Sequence, residues 1–243
     1  MSTDPLTQTP RRSPAWAWAV HAFTAAGAVL AYLALTAVYE ADWGLALLWL
    51  LVALVVDGVD GSLARWARVK EGAPRIDGDT MDLIIDYLNY VFVPAILIAR
   101  AGLVPAALAP WLVGLVLVSA LYNFTRRDLK TPDNYFRGFP ALWNLVAFYL
   151  FLTSPGETAG AIAVVFFAAL TFAPVHFVHP FRVRDYGRWL PLLAGAWAVA
   201  TGALLYPDWN EGVHFAWLTA SLAASAILLG LGLLRSLRGP RPA

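Results

Sequence analysis

Eight long apolar stretches, separated by short polar segments, dominate the chain. A helix needs about 20 predominantly apolar residues to cross the hydrocarbon core of a bilayer, and most of the stretches reach or approach that length. The pattern therefore predicts an all-α, polytopic membrane helix bundle with about eight transmembrane helices. The stretches are residues 16–38, 43–66, 81–99, 103–124, 139–154, 159–178, 189–206 and 213–234.

Polar ends flank this block and set the predicted domain boundaries. Residues 1–15 are rich in Thr, Pro and Arg, and we expect them to form a disordered cytoplasmic tail. Residues 16–234 are predicted to be a single transmembrane helical domain, because no internal repeat or low-complexity segment divides them. Residues 235–243 are predicted to be a second cytoplasmic tail.

The distribution of Lys and Arg predicts the orientation of the bundle, because cytoplasmic segments carry an excess of these residues. With eight spans, both tails and the loops after the second, fourth and sixth helices lie on one side. That side holds every basic residue except Arg100, so both termini are predicted to be cytoplasmic. The basic residues on that side are Arg11, Arg12, Arg65, Arg68, Lys70, Arg75, Arg126, Arg127, Lys130, Arg137, Arg182, Arg184, Arg188, Arg235, Arg238 and Arg241.

Composition excludes several classes of protein. The chain is 60% hydrophobic and only 14% charged, whereas soluble domains are about a quarter charged, so a water-soluble monomer is excluded. The net charge of +1 argues against a nucleic-acid partner, which requires a strongly basic face. The absence of Cys excludes disulfides, thiolate metal sites and cysteine nucleophiles.

Four aspartates interrupt the apolar pattern near the predicted cytoplasmic ends of the second and third helices. Asp57 and Asp60 are three residues apart, and Asp82 and Asp86 are four apart, so each pair lies on one face of its helix. The second helix runs toward the cytoplasm and the third runs back, which puts both pairs at a similar depth. Acids inside spans are costly, so they indicate a functional site.

Four carboxylates in a small space cannot all be ionised unless cations neutralise them. Oxygen-only ligand sets favour hard divalent ions such as Mg²⁺, Mn²⁺ or Ca²⁺, and four carboxylates can hold two metals around a phosphoryl group. The alternative is that the acids are solvated at the interface or pair with nearby basic residues. The predicted metal ligands are Asp57, Asp60, Asp82 and Asp86. The basic residues nearby are Arg65, Arg68, Lys70 and Arg75.

Small residues surround the acids. Gly58, Gly61 and Ala64 lie on the second helix, and Gly78 precedes the third. Small side chains let a flat nucleotide approach the backbone, or let two helices pack closely, and both explanations stay open. Arg65, about one turn beyond Gly61, is placed to meet an anionic phosphate.

The pattern D-x-x-D-G-x-x-A-R from Asp57, followed by G-x-x-x-D-x-x-x-D from Gly78, resembles the signature of the CDP-alcohol phosphotransferases. Every fixed position of that signature is matched, although the gap at residues 66–77 is longer than is common in the family. The segments RVKEGAPRIDGDTMDLIIDYLNYVFVP and RRDLKTPDNYFRGFPALWN are further similar to the bacterial branch of the family that uses choline.

The resemblance implies a reaction and a set of residue roles. CDP-diacylglycerol and choline condense with release of CMP, on a site holding two Mn²⁺ or Mg²⁺ ions at the cytoplasmic side of the bacterial inner (plasma) membrane. Asp86 is implied to be both a metal ligand and the catalytic general base. The other implied roles are metal ligation by Asp57, Asp60 and Asp82, and nucleotide or diphosphate binding by Asp60, Gly61, Ala64, Arg65 and Gly78. The resemblance is also compatible with a homodimer.

A choline site requires an aromatic cage or a carboxylate for the quaternary ammonium group. Residues of these types lie near the predicted cytoplasmic ends of the third, fourth and fifth helices, where aromatic side chains more often anchor or pack a helix. The candidates are Asn89, Tyr90, Tyr122, Asn123 and Trp143. Alternative partners for the cation are Glu71, Asp79 and Asp133.

The basic loop after the fourth helix offers a candidate phosphate site, in which Arg126, Arg127, Lys130 and Arg137 could hold the phosphates of the donor or of an acceptor. Arg126 and Arg127 fit the charge bias that fixes topology. Tyr135 and Arg137, close to the fifth helix, are the candidates for contact with the lipid phosphate. Composition and spacing do not separate choline from other acceptors such as serine, inositol phosphate or glycerol phosphate.

A cation- or proton-coupled transporter is the alternative from a different class, because intramembrane acids also build ion pathways. A transporter favours acids near the bilayer midplane on several helices, together with inverted repeats. The four acids here lie near one membrane face on two successive helices, which favours the phosphotransferase.

Overall fold

The structure, a computed structural model, describes residues 14–206 and 211–239, and most of this part of the chain is helical. Residues 1–13 and 240–243, which make up most of the N-terminal tail and part of the C-terminal tail expected from the sequence, lie outside the described residues. In chain order the elements are α1 (Pro14–Tyr39), α2 (Trp43–Ala67), α3 (Val69–Gly72), α4 (Gly78–Tyr87), a π-helical turn (Leu88–Phe92), α5 (Val93–Arg100), α6 (Ala109–Thr125), β1 (Phe136–Arg137), α7 (Trp143–Thr153), α8 (Glu157–Leu170), β2 (His176–Phe177), α9 (Trp189–Ala203) and α10 (Glu211–Arg238).

Four helical segments of the described chain are long and apolar enough to cross a membrane. They are Ala15–Tyr39, Trp43–Ala67, Gly78–Arg100 and Glu211–Arg238. Four shorter apolar helices, α6, α7, α8 and α9, occupy the other predicted stretches. The 11 residues of α7 rise only about 17 Å at 1.5 Å per residue, well short of a bilayer core. The helical membrane architecture is confirmed, while the count of eight spans and the side of the termini stay predictions.

α1 joins the two helices that carry the acid motif, because it packs against both α2 and α4. Gly27 lies where α1 meets α4, and a Cβ at this position would overlap the side chain of Ile85. The Asn89 side-chain amide donates a hydrogen bond to the Gly27 carbonyl oxygen at 2.9 Å. This close approach sets the position of α4 against the rest of the bundle.

The third span is interrupted by the π-helical turn at Leu88–Phe92. Pro94 follows directly and has no N–H group to donate, so the regular ladder of i→i−4 hydrogen bonds is broken at this point. Wide turns of this kind are rare and occur frequently at functional sites. The turn places Asn89 and Tyr90, both buried, on the inside of the bundle.

The largest hydrophobic core lies between the first three spans and α7. Val38, Leu47, Leu97 and Trp143, one from each of α1, α2, α5 and α7, are almost completely buried there. Full burial of a large apolar side chain stabilises a fold by about 1.5–3 kcal/mol where the alternative is water, and by less where it is lipid. The rigid core holds the ends of α2 and α4 in place.

A polar network around Tyr149 ties α7 to the two C-terminal helices. The Tyr149 hydroxyl lies 2.7 Å from Ser221 Oγ and 2.8 Å from Ser225 Oγ on α10. It also accepts a hydrogen bond from Trp197 Nε1 of α9 at 2.9 Å. In an apolar environment each polar group needs such a partner, so the network fixes the register of these three helices.

Two loops at the end of the bundle that contains Asp82 and Asp86 are joined by backbone pairing. β1 and β2 pair in antiparallel fashion, with Arg137 opposite His176. Gly138 has φ +76°, and its N–H donates to the Val175 carbonyl oxygen at 2.7 Å; a Cβ there would overlap the Thr171 carbonyl. The loops after α6 and α8 therefore form one unit.

Three of the predicted stretches are markedly shortened in the structure, each near a proline. The stretch predicted at 103–124 forms a helix only from Ala109, and the stretch predicted at 139–154 begins at Trp143, just beyond Pro140. The prediction that the sixth helix continues to residue 178 is wrong, because α8 ends at Leu170 and Pro174 lies between it and β2. Proline lacks the N–H that a helix interior requires.

Candidate active site

The structure brings three of the four motif acids into one cluster. Asp57 of α2 and Asp82 and Asp86 of α4 each offer a carboxylate oxygen, and these three atoms lie within 4.8 Å of one another. The shared helix face and matched depth predicted from spacing are thus realised in the fold.

Asp60 lines the same cleft but is held on the side nearer α1. It is 6% exposed, and the Thr24 side chain hydrogen-bonds to its carboxyl group. The cleft has a volume of about 240 Å³. Its lining comprises Thr24, Gly27, Ala53, Val56, Asp57, Asp60, Asp82, Ile85, Asp86, Asn89 and Tyr90.

Tyr90 and Asn89 reach the cleft because of the π-helical turn. The Tyr90 hydroxyl donates a hydrogen bond of 2.6 Å to Asp57 Oδ2, and this side chain is 5% exposed. Asn89 is 2% exposed and uses its amide hydrogens on the Gly27 and Ile85 carbonyl oxygens, at 2.9 and 3.0 Å. Both residues therefore position the walls of the cleft, and Tyr90 orients one of its acids.

The small residues of the motif have different surroundings. A Cβ placed at Gly61 would have Arg65 Nη1 as its nearest neighbour, at 3.5 Å, and Arg65 Nη2 donates to Ser62 Oγ at 3.0 Å. A Cβ placed at Gly78 would first meet His21 Cε1, at 3.1 Å. A side chain at position 61 would thus make an ordinary contact with the Arg65 guanidinium, while Gly78 lets the start of α4 pack on α1.

The long gap in the motif, residues 66–77, forms the short helix α3 and a capped turn. Arg68 adopts the left-handed conformation (φ +50°) that ends α2. Asp77 caps α4 by accepting hydrogen bonds from the N–H and the hydroxyl of Thr80 at 3.1 and 2.7 Å, which lowers the pKa of Asp77. The additional residues form ordered structure, and α4 begins at Gly78, which was expected to precede the helix.

Nearby basic residues do not neutralise the acids. In the described part of the chain, no ion pair within 4 Å involves a motif acid. Lys70 pairs instead with Asp79 at 2.7 Å, a contact that raises the pKa of Lys70. The structure therefore does not support the alternative in which basic side chains pair with the acids.

The donor set fits a divalent metal. Closely spaced carboxylates repel one another unless a cation or a proton lies between them. Three oxygen atoms within 4.8 Å, with a fourth carboxylate on the same cleft, are the hard ligands that Mg²⁺ and Mn²⁺ prefer. Tyr90 then supplies the hydrogen bond to a ligating carboxylate that metal sites commonly include.

Three of the candidate choline residues do not reach this cleft. Trp143 is fully buried and packs edge-on against Phe139, with ring centroids 5.2 Å apart. Tyr122 is 44% exposed and lies against Phe172, while Asn123 is buried on α6. Among the candidates, only Asn89 and Tyr90 line the cleft.

The two candidates for lipid phosphate contact are engaged elsewhere. Tyr135 is fully buried, and its hydroxyl donates to Asp185 Oδ2 at 3.0 Å, which raises the pKa of Tyr135 together with its burial. Arg137 lies 3.6 Å from Asp128, which Arg126 also contacts at 2.8 Å. Both candidates therefore contribute to the loop unit rather than to the cleft.

Two loop cations lie close to the cleft: Lys130, which the sequence offered among the candidates for phosphate contact, and Arg182, which it did not. Lys130 is near enough to Asp57, Asp82 and Asp86 for charge interaction, and Arg182 is near enough to Asp82. The Lys130 side chain is exposed at its surface, and partial desolvation by nearby protein together with the positive charge of Arg182 lowers its pKa. Their approach depends on the pairing of β1 with β2, which leaves no pattern in the sequence.

His179 lies beside these cations. Burial and the charges of Lys130 and Arg182 lower the pKa of His179 to about 3, so its imidazole is neutral at neutral pH. Its ring stacks on Phe136, with centroids 5.3 Å apart and an angle of 9° between the planes. This histidine therefore packs the loop unit.

Thr24 and Gly27 are the other site residues that the sequence did not identify. They lie three residues apart, on one face of α1. In the sequence, this pair is visible only as a polar and a small residue at helical spacing within an apolar span. That signal is weak, because small residues serve helix packing throughout membrane proteins.

Comparison with known proteins agrees with this site. Residues 18–178, which include the whole acid motif, match the CDP-alcohol phosphatidyltransferase family. The phosphatidylcholine synthase of Pseudomonas aeruginosa is 42% identical over 241 residues, which cover 96% of this chain and 97% of that protein.

Two further relatives extend the likeness. The phosphatidylcholine synthase of Bradyrhizobium diazoefficiens is 44% identical over 198 residues, covering 81% of this chain and 73% of that protein. The phosphatidylcholine synthase of Legionella pneumophila is 34% identical over 230 residues, covering 90% of this chain and 88% of that protein. The resemblance inferred from the motif is confirmed: the chain belongs to the CDP-alcohol phosphatidyltransferase family.

Proposed function

We propose that this protein condenses CDP-diacylglycerol with choline to give phosphatidylcholine and CMP. The cluster of three carboxylate oxygens within 4.8 Å carries the proposal, because it fits divalent metals of the kind used in phosphoryl transfer. Likeness to phosphatidylcholine synthases over almost the whole chain supports choline as the acceptor.

The acids of the cleft have two tasks in this proposal. Asp57, Asp60, Asp82 and Asp86 would hold Mn²⁺ or Mg²⁺, with two ions in each active site. When bound, these ions stabilise the negative charge that develops on the diphosphate. Tyr90 keeps Asp57 in position through its hydrogen bond of 2.6 Å.

Nucleotide binding is assigned to the surface around α2 and the start of α4. Gly61, Ala64 and Gly78 would line the cytidine site together with Asp60, and Arg65 would contact the diphosphate. The nearness of the Arg65 guanidinium to Gly61 supports this assignment. A guanidinium group suits phosphate oxygens because it offers several donors in one plane.

Asp86 is the proposed general base, since it lies on the same cleft as the other acids. Its carboxylate accepts the proton of the choline hydroxyl as the choline oxygen attacks the phosphorus atom that bears diacylglycerol. The bond from that phosphorus to the CMP oxygen breaks, and CMP leaves as an anion. The protein contributes mainly by positioning the groups and by stabilising charge.

The proposed setting is the cytoplasmic side of the bacterial inner membrane. Polar substrates then reach the acids from the cytoplasm while the acyl chains stay in lipid. The Lys and Arg bias supports this orientation, since Lys130 and Arg182 border the cleft on the predicted cytoplasmic side. We further propose the homodimer that the family resemblance suggests. Choline contact by Asn89 or Tyr90 remains part of the proposal, because both line the cleft.

The direct test is transfer of radiolabelled choline into chloroform-extractable lipid by purified protein in detergent, with CDP-diacylglycerol and Mn²⁺. We expect labelled phosphatidylcholine in equal amount to CMP, and loss of both when a chelator is added. Asp86→Asn should lower the rate by about 10³-fold, within the range for loss of a general base. Glu40→Gln, which changes an exposed acid on the loop between α1 and α2, is the matched control and should retain full activity.

Parallel reactions with serine, inositol phosphate and glycerol phosphate test the acceptor. CMP release only with one of these would retain the metal site and contradict the choline assignment. If folded protein releases no CMP with any acceptor, the phosphotransferase proposal is wrong, and ion flux in vesicles becomes the next assay for the transporter alternative.

A further inference from the structure

Lys130 and Arg182, referred to below as the cationic wall, approach the acidic cleft without forming an ion pair. Lys130 lies on the loop between α6 and α7, and Arg182 on the loop between β2 and α9. Within residues 14–206 and 211–239, neither is within 4 Å of a carboxylate oxygen. Both are nevertheless close enough to the cleft acids for charge interaction.

The loop unit holds the wall in place. Lys130 forms a backbone bridge with Phe136, and its Nζ lies 5.0 Å from the centroid of the Phe136 ring. That ring stacks on His179, three residues before Arg182. An aromatic contact restrains the flexible Lys130 side chain without neutralising its charge. The position of this cation is therefore built into the fold.

The loop that carries Arg182 also packs directly on the acid motif. Phe181 would lie 3.8 Å from a Cβ placed at Gly58, the residue after Asp57. Phe181 therefore places the backbone of its neighbour Arg182 beside α2. The wall therefore approaches the cleft from the loop that packs on α2, while Thr24 and Gly27 of α1 are part of the lining of the cleft.

Three other cations of the same region are paired. Arg126 and Arg137 contact Asp128, and Arg235 contacts Asp133. Lys130 and Arg182 repel each other instead, and the repulsion contributes to the lowered pKa of Lys130. Two neighbouring like charges are costly unless an anion is bound between or beside them. The arrangement fits an anionic ligand that carries more than one charge.

We propose that Lys130 and Arg182 bind the diphosphate of CDP-diacylglycerol. The inference rests on the proposed function and replaces Tyr135 and Arg137 as the loop residues that contact the donor. A diphosphate that enters a cleft with four acids adds further negative charge. Charge-assisted hydrogen bonds from Lys130 and Arg182 offset that charge. Choline is itself a cation, so the wall cannot be its binding site.

The test measures binding of CDP-diacylglycerol to purified protein in detergent, with Mn²⁺ present, for Lys130→Gln, Arg182→Gln and the double variant. Loss of a hydrogen bond to a charged group weakens binding by about tenfold or more, so we expect about tenfold for each single variant. Over 100-fold is expected for the double variant. Arg127→Gln and Arg184→Gln, exposed residues on the same two loops, are the matched controls and should bind as the wild type does.

Charge-retaining variants separate ligand binding from a structural role. Lys130→Arg and Arg182→Lys should keep donor affinity within about threefold of the wild type, and the KM for choline should change by less than about threefold in all variants. Donor affinity in the double variant equal to that of the controls would overturn the inference. If the wild-type protein itself does not bind CDP-diacylglycerol, the proposed function fails, and the inference fails with it.

Discussion

Carboxylates occur in two contrasting settings in this protein. In the cleft between α2 and α4, oxygens of Asp57, Asp82 and Asp86 converge within 4.8 Å, and none of these acids has a basic partner within 4 Å among the residues that the structure describes. In the loop unit, Asp128 and Asp133 are each held by arginine, at 2.8 and 2.6 Å. The loop acids neutralise charge and join elements, whereas the cleft acids concentrate charge of one sign.

The loop acids stabilise the fold, whereas the cleft acids are available to bind a ligand. A buried or half-buried acid that only stabilised the structure would be paired, as Asp133 is with Arg235. Converging acids cost stability unless a cation binds to them, so they are expected where the ligand is a metal. By the same argument, the unpaired cations Lys130 and Arg182 are expected to bind an anionic ligand.

The largest expected effect follows removal of a cleft acid. Asp82→Asn should lower the rate of CMP release by about 10³-fold, because a metal ligand is lost. In metal-free protein the same change should raise the melting temperature, because one of the repelling charges is removed. Asp133→Asn should do the reverse, lowering the melting temperature while leaving the catalytic rate unchanged. A lower melting temperature for metal-free Asp82→Asn would contradict the claim that the cleft acids repel one another.

A smaller effect is expected from the residue that orients a cleft acid. Tyr90→Phe removes the hydrogen bond of 2.6 Å to Asp57 and should raise the Mn²⁺ concentration needed for half-maximal activity by about tenfold. Tyr32→Phe, at an exposed position on α1, is the control. If the metal requirement does not change in Tyr90→Phe, the orienting role of Tyr90 is wrong.

The smallest effect concerns the paired acid of the loop unit. Arg235 and the hydroxyl of Thr131 hold the pKa of Asp133 at about 2, below its usual value of 3.8. Because this pKa is lowered in the folded protein, the stabilisation is present above about pH 4 and is lost as the pH falls toward 2. We expect about 1–2 kcal/mol from this partly buried pair.

Measuring unfolding free energy against pH tests this contribution. The wild-type protein should lose stability between about pH 4 and pH 2, and Asp133→Asn should lose less over the same interval. Equal pH dependence in the two proteins would show that the Asp133–Arg235 pair contributes nothing.

The spacing of the aspartates predicted the acid cluster. It puts each pair on one face of its helix, and two successive antiparallel helices bring the pairs to a similar depth. The same reasoning predicted the helical stretches, since each reflects a continuous apolar run. Sequence reasoning failed where segments distant in the chain meet. The pairing of β1 with β2 places Lys130 and Arg182 near the acids, and β2 begins at His176, where the sequence predicted a continuing helix.

Aromatic residues show a second limit of sequence reasoning. Trp143 and Tyr90 both lie near the predicted cytoplasmic boundary, yet Trp143 is enclosed by the core and Tyr90 faces the acids. The π-helical turn at Leu88–Phe92 changes which residues face inward, and its cause, an interrupted hydrogen-bond ladder before Pro94, is not visible in hydrophobic periodicity.

The most direct test of the account is Mn²⁺ binding to the purified protein, followed by the electron paramagnetic resonance signal of free Mn²⁺. We predict binding by the wild type that tightens when CDP-diacylglycerol is added, and loss of binding in the Asp57→Asn, Asp82→Asn double variant. Asp128→Asn, which removes a paired loop acid, should bind Mn²⁺ as the wild type does. Equal Mn²⁺ binding by the wild type and the cleft double variant would contradict the assignment of these acids as the metal site.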